Sequence, residues 1–505
     1  MDENVVFNPG GQDNSAKPST ELPPQEVSGQ AVSSEVAPVG ITADTTAPSE
    51  STQPQVVEGS EIQSEQAPPS GPPPRTGGWW KKIIIGVVIL VLIVGAFAIF
   101  LPKGASNEKV KLVWWGLWED QAVIAPLLTE FNKSNPNITV EYIKQDPKQY
   151  REKLTTRIKN GSGPDIFRYH NTWVPMMSDS LLPLSTDVMS PNEFKKTFYP
   201  VMQKDLTQNG GIYGIPLGAD SLGLFVNTEL LEAAGIEPPQ NWDDFVKAAR
   251  ALTVKDEGKI KTAGAALGTY GNITHAPDII SLLFIQQGID MEKFASAAKD
   301  DKVEALDFYT SFATGDQNVW DGTLDESLLS FARGNLAMYI GFSWDIFRIE
   351  SLNKELAFTT YPLPQLVGRT ATLSSYWVEG VSSKSKNQKE ALLFMQYLSK
   401  KETAQKFYTE ASKKRAFGEP YAQRALANSL KENKLLYPFV SQLGSASSSF
   451  FASDTNDGEG GINSTSNTYL GNAINSIIDD NNSAESAVET LDKGVAQVFQ
   501  KYGIR

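Results

Sequence analysis

Two short runs set indoles beside carboxylates and amides. Trp115, Trp118, Glu119 and Asp120 follow one apolar stretch, and Tyr169, His170, Asn171 and Trp173 follow another. An aromatic ring can stack on the apolar C–H face of a sugar, while a planar carboxylate or amide pairs with its rim of hydroxyls. Such runs are equipment for gripping a polyol. Covalent and metal chemistry have less to work with. The chain has no cysteine, which excludes disulfides, thiolate catalysis and a lipid-modified N-terminal cysteine. Its two histidines, His170 and His275, leave little for zinc or histidine-based catalysis. A glycosidase would need two facing carboxylates about 5–10 Å apart with unequal pKa values. Asp165 and Asp220 could be put forward, but nothing in the sequence raises either pKa.

The elements that must position these residues are legible. Val110 to Trp115 reads as a buried strand. After the polar break Gly116 to Gln121, Val123, Ile124, Leu127, Leu128 and Phe131 mark one helical face, with Pro126 belonging near the first turn. Asn135-Pro136-Asn137 makes a turn, and Ile138, Val140 and Tyr142 alternate as a second strand. Tyr150, Leu154 and Ile158 stripe a second helix, which Gly161-Ser162-Gly163-Pro164 stops before a third strand at Asp165-Ile166-Phe167. Strand–helix–strand–helix–strand implies a parallel sheet with right-handed crossovers. Ligands collect outside the carboxyl ends of such strands, where both indole runs fall.

Ahead of this lies a different kind of chain. Ile83 to Leu101 holds no charge and no strongly polar group. As a helix, this 19-residue run spans roughly 28 Å, close to the hydrocarbon core of a bilayer. Trp79 and Trp80 suit the headgroup layer, Lys81 and Lys82 follow them, and Pro102 ends the segment. Residues 79–102 are therefore expected to form an uncleaved transmembrane signal anchor. Ala96-Phe97-Ala98 has the spacing of a processing site, and the flanking lysines barely favour an inside N-terminus. Residues 1–78 carry eleven acids and two bases, are rich in Ser, Pro and Gln, and have no sustained apolar period. They are expected to be a disordered acidic tail that spaces the anchor or docks a partner. The formal net charge of −14 offers no basic face for nucleic acid.

Residues 109–505, after a linker at 103–108, resemble the family 1 extracellular solute-binding proteins of ABC importers, the group that includes maltose- and oligosaccharide-binding proteins. Trp114-Trp115-Gly116 followed by Asp120 is similar to the family's first strand and loop. Gly163-Pro164-Asp165-Ile166 resembles its G-x-P-D-I turn, and Leu181 to Leu184 its G-L-L-x-P-L run, with Ser180 replacing the glycine. Tyr213-Gly214-Ile215-Pro216, Asn227, Leu231 and Gly235 match the crossover strand and its helix. Pro239, Asn241 and Trp242-Asp243-Asp244 match a capped helix start. Phe331, Gly334, Ala337 and Met338 match F-x-x-G-x-A-A-M, with Trp344 after it. Pro362 and Pro364 fit the return crossing, and Ala391, Phe394 and Tyr397-Leu398 a later helix.

The resemblance implies an α/β, periplasmic-binding-protein-like fold. Two α/β lobes, about 109–218 with 364–425 and about 222–361 with 430–505, would flank an interlobe cleft that closes on its ligand. It implies a binding protein, not an enzyme, that needs no cofactor or metal. The protein would capture a carbohydrate outside the cell and deliver it to an ABC permease in the same membrane. The expected ligand contacts are Trp115, Trp118, Glu119, Asp120, Asp165, Tyr169, Asn171, Trp173, Asp220, Trp344, Trp377 and Glu379. The resemblance places Asp220 as a sugar-binding carboxylate and Trp344 as an aromatic platform. Trp377 and Glu379 follow another probable strand. Asp165 reads equally as a turn-fixing residue, Trp114 and Trp242 as core, His170 as polar wall, and Arg415 as an exposed cation within reach of the cleft. The acidic, glycine-rich run Ser453 to Gly461 reads as a flexible polar loop. It has oxygen ligands at alternate positions but lacks the spacing of a calcium loop. A ligand sensor with an intracellular tail is the second reading.

Overall fold

The protein is described by a computed structural model covering residues 109–504. The expected acidic tail 1–78, the span Ile83 to Leu101 and the linker 103–108 lie outside the described residues. Among the described residues no helix is long and apolar enough to cross a membrane.

The first lobe grows from the pattern at its start. The stripe Val123, Ile124, Leu127, Leu128 and Phe131 becomes the buried face of helix α1 (Gln121–Ser134), with Pro126 inside the helix. Strand β1 (Val110–Gly116) pairs in parallel with β2 (Ile138–Lys144). The stripe Tyr150, Leu154 and Ile158 turns helix α2 (Tyr150–Lys159) onto the sheet, and β3 (Ile166–His170) returns parallel to β1. The short β4 (Leu181–Leu182), helix α3 (Pro200–Leu206) and β5 (Ile215–Pro216) complete this part. Every residue of β3 is buried, as suits a strand covered on both faces.

The chain then leaves through β6 (Asp220–Ser221) and enters the second lobe at β7 (Gly223–Asn227). Helix α4 (Trp242–Leu252) starts at the predicted cap, where the Asn241 side chain accepts from the Asp244 N–H. A hairpin of β8 (Val254–Asp256) and β9 (Lys259–Ala265) leads to helices α5 (Ala276–Gln287) and α6 (Lys299–Thr310). Strand β10 (Leu336–Gly341), helix α7 (Asp345–Leu352) and β11 (Phe358–Tyr361) close the second sheet, ordered β8-β9-β10-β7-β11.

The return passes through β12 (Thr372–Ser375) into β13 (Trp377–Ser382), which inserts antiparallel beside β3. The first sheet is thus ordered β2-β1-β3-β13-β4, with β5 also on β13. Helices α8 (Gln388–Leu398) and α9 (Lys401–Ser412) cover it. A last passage at β14 (Ala446–Ser447) leads to α10 (Ile462–Ile478) and α11 (Ala484–Tyr502) of the second lobe. The three passages form their own small sheet, β14-β12-β6.

Two separate apolar cores result, one from Leu112 to Ala219 and Tyr376 to Ala422, the other mainly from Leu222 to Leu363 and Leu426 to Phe499. The return crossing differs from expectation. Leu363 belongs to the second core, and the chain re-enters the first lobe at β12, later than Pro364. The two prolines end β11 and do not form the crossing, because the pairing of Ser375 with Asp220 fixes where the lobes join.

Candidate functional site

The carboxyl ends of β1 and β3 carry an aromatic cluster. Trp118, 39% exposed, meets Trp377 edge to face with ring centres 5.7 Å apart. Trp377 in turn meets His170 at 5.2 Å and Trp173 at 5.5 Å. Trp173 is fully buried against Tyr150 and supports the exposed pair from below. Trp115 is also nearly covered, with the Lys153 ammonium 5.3 Å from its ring. His170 is a wall residue, as expected. Its ring nitrogens bond Thr172 and Ser375, and burial pushes its pKa down to about 3, so it is neutral.

Beneath the cluster lies a buried ionic group. Arg168, in the middle of β3, reaches Glu119 at 2.5 Å and Glu379 at 2.6 Å, and the Trp114 indole N–H donates to Glu379 at 2.7 Å. Burial raises the Glu379 pKa, and the Arg168 guanidinium opposes that rise. Glu119 keeps one oxygen, Oε1, buried without a protein partner, as does the Trp173 indole N–H. Two of the expected ligand carboxylates are therefore committed to a floor under the indoles.

Other expected contacts are drawn into the framework. Asp165 accepts from the Val113 N–H at 2.8 Å and the Ser385 hydroxyl at 2.5 Å, bonds of the kind a turn-fixing residue makes. Tyr169 is fully buried and donates to the Tyr213 carbonyl at 3.2 Å. Asn171 turns away from the indoles and donates to Asp205 at 2.9 Å. Asp120 stays exposed, paired with Lys144 at 2.6 Å.

Asp220 ties the crossing to the second lobe. It accepts from the Ser343 N–H at 2.9 Å, the Ser343 hydroxyl at 2.6 Å and the Ser221 N–H at 2.8 Å. Burial pushes its pKa up to about 8 against these donors. These bonds make it hold the loop on which Trp344 sits. Trp344 itself is half-buried and stacks on Phe342 at 4.2 Å and 16°. Both indole surfaces are tied to the crossing: Trp344 comes directly after Ser343, which Asp220 holds, and Trp377 comes two residues after Ser375, which pairs with Asp220. The lobes also touch directly. Thr172 donates to Asn463 at 2.8 Å, and the Arg151 guanidinium donates to the Asp457 carbonyl. Arg415 lies 5.2 Å from the Phe347 ring and donates to the Phe417 carbonyl.

The Ser453 to Gly461 loop is built, not loose. The Asp457 carboxylate accepts from the Asn463 and Ser464 N–H groups at the start of α10, and Gly458 adopts φ +74° against the Glu152 carboxylate. Among the described residues no cluster of histidines and carboxylates could hold a metal.

A second hollow lies on the opposite face of the crossing. Successive strand residues point to opposite faces, and Tyr376, between Ser375 and Trp377, donates to Asp205 at 2.7 Å. A cavity of about 500 Å³ opens there between the lobes, lined by Asn171, Lys204, Asp205, Glu292, Phe450 and Tyr502 among others. The Lys204–Asp290 pair, at 2.7 Å, spans its rim.

Sequence reasoning missed Arg168, Phe342 and the buried His275. Arg168 had a signal: a lone cation inside the apolar run Ile166 to Tyr169 must be paired if that run is a central strand.

The family model for bacterial extracellular solute-binding proteins matches residues 116–405. The "Multiple sugar-binding protein" of Streptococcus mutans is 23% identical over 323 residues, covering 60% of this chain and 74% of that one. A cyclo/maltodextrin-binding protein solved with maltotetraose shares the fold with a TM-score of 0.63 and 21% identity, over 78% of this chain and 99% of that one. The cyclic alpha-maltosyl-1,6-maltose binding protein of Arthrobacter globiformis superposes with a TM-score of 0.64 and 18% identity, over 78% and 100%. Two α/β lobes joined by a three-strand crossing, with a family match across more than half its length, make this chain a member of the bacterial extracellular solute-binding proteins.

Proposed function

We propose that the protein captures a carbohydrate between its lobes for an ABC importer, outside the cytoplasm, held to the membrane by Ile83 to Leu101. The observation that carries this reading is the pair of indole surfaces near the crossing, Trp118 with Trp377 on one lobe and Trp344 on the other. Stacking on these rings would give affinity, and polar groups around them would choose among hydroxyl patterns. The sugars named for the similar proteins favour an oligosaccharide. Trp115, Glu119, Trp173 and Glu379 act from beneath the rings, Asp120 at the rim, and Asp165, Tyr169, Asn171 and Asp220 through the framework.

The test is a thermal-shift screen against mono- and oligosaccharides, followed by calorimetry on Trp118→Ala and Trp344→Ala. A ligand at 100 times its Kd should add about 2.7 kcal/mol to stability. Both variants should fold and lose affinity; unchanged affinity in both would remove the assignment. The sensor reading rests on the acidic tail alone. Unaffected uptake with an altered gene response after deletion of 1–78 would favour it.

A further inference from the structure

The second lobe contains a buried histidine that joins two loops, and both loops reach the lobe interface. His275, fully buried at the start of α5, bonds Asp345 through Nε2 at 2.7 Å and Ser453 through Nδ1 at 2.8 Å. Asp345 begins α7 directly after Trp344. It also accepts from the Tyr339 hydroxyl at 2.8 Å and the Phe342 N–H at 3.2 Å. The His275 ring meets Phe342 edge-on at 5.1 Å, and Phe342 is the ring on which Trp344 stacks. Ser453 opens the glycine-rich loop whose Asp457 carbonyl takes the Arg151 guanidinium of the other lobe. Gly341 leaves no room for drift at the Trp344 end, since a side chain there would meet the Asp345 carboxylate at 2.4 Å.

We infer that His275 is a positioning residue that couples the Trp344 surface to the cross-lobe contact of the Ser453 to Gly461 loop. The inference rests on the proposed ligand site and assigns its regulation: stacking on Trp344 and closure of the lobes are linked through one imidazole. A stacked ligand orders residues 342–345, His275 carries that order to Ser453, and the loop then holds Arg151 more firmly.

The charges around the ring make the link sensitive to pH. Asp345 on α7, Asp278 on α5 and Asp454 on the loop all face it, with the last two near 4.0 and 3.9 Å. Arg348 pairs with the far oxygen of Asp345 at 3.4 Å, and Tyr339 and Tyr270 border the group. Burial alone would lower the His275 pKa, but these carboxylates outweigh it and raise it to about 9. A raised pKa places the stabilisation below the unfolded value of about 6.5, and it is lost as pH climbs through 9.

The experiment is amide hydrogen exchange on the full-length chain, free of ligand, for wild type, Ser453→Ala and His275→Gln. Ser453→Ala removes one hydroxyl at the loop and leaves the buried charges intact, so it tests the link even if His275→Gln folds poorly. The expected result is faster exchange in residues 342–345 of Ser453→Ala as well as in 453–461, on the order of tenfold. Wild type should also show a rise in opening of 453–461 above pH 9, corrected for intrinsic rates, that His275→Gln lacks. Exchange changes confined to the substituted loop, or the same pH profile in both proteins, would overturn the inference. Affinity for maltotetraose, used as the probe, should fall about tenfold in Ser453→Ala. Absence of sugar binding in wild type would count against the proposed function and leave the exchange result standing.

Discussion

Replacing Arg168 by methionine should show how much the floor under the indoles depends on one cation. The guanidinium is 2% exposed, and the carboxylates it holds are 3% and 1% exposed. Methionine fills a similar volume, so little of the loss comes from a cavity. What remains is two carboxylates in a space water cannot fill. Breaking a buried pair by removing one partner costs about 3–5 kcal/mol. With a urea m-value of about 3 kcal/mol/M, that lowers the unfolding midpoint by about 1–1.7 M. Circular dichroism of the 109–505 region against urea reads it directly. Adding Glu119→Gln and Glu379→Gln removes both stranded charges and should recover at least half of the shift. A midpoint within 0.3 M of wild type for Arg168→Met, or no recovery in the triple variant, would refute the reasoning, since the charges would then be screened by water despite their burial (~0.3 M corresponds to about 1 kcal/mol).

Three further outcomes are expected. Asp220, with its pKa raised to about 8, keeps a proton in the folded state that the unfolded chain releases near 4; stability from this group therefore declines as pH rises from about 4 to 8, and Asp220→Asn should flatten melting temperature against pH over that window. Gly264→Ala should destabilise the second lobe by about 1–3 kcal/mol or more in denaturant titration, because the new methyl would lie 1.8 Å from the Ala249 carbonyl oxygen that α4 presents to β9. Lys302→Met should also be costly, since Asp492 loses two bonds of 2.7 Å to a fully buried ammonium; a midpoint equal to wild type would show that α6 and α11 pack without that pair.

The framework was readable where periodicity was strong. Tyr150, Leu154 and Ile158 are all buried on α2, and Asn241 caps α4. Strand β13 was less legible, because nothing local says that Trp377 to Ser382 inserts between β3 and β4. The site was harder still. Trp118 and Trp173 are the same residue type, each just past a strand, yet one is exposed and the other fully covered. Trp377 touches both rings, and Trp173 is packed against Tyr150 of α2 as well. The partners of the carboxylates were hidden in the same way. Nothing local to Glu119 or Glu379 says that Arg168 stands between them, or near Asp220 that Ser343 bonds it.

The position of β13 also governs when the chain can settle after synthesis. The strand is internal to the first sheet, between β3 and β4, so β1 to β3 wait for residue 377 before their open edge is covered. The second lobe waits longer, for α11 at the very end. The first lobe cannot finish until most of the second has been made, and pairings over such separations form slowly. A polypeptide that matures this late remains threadable for most of its production, the condition a secretory channel requires of its cargo.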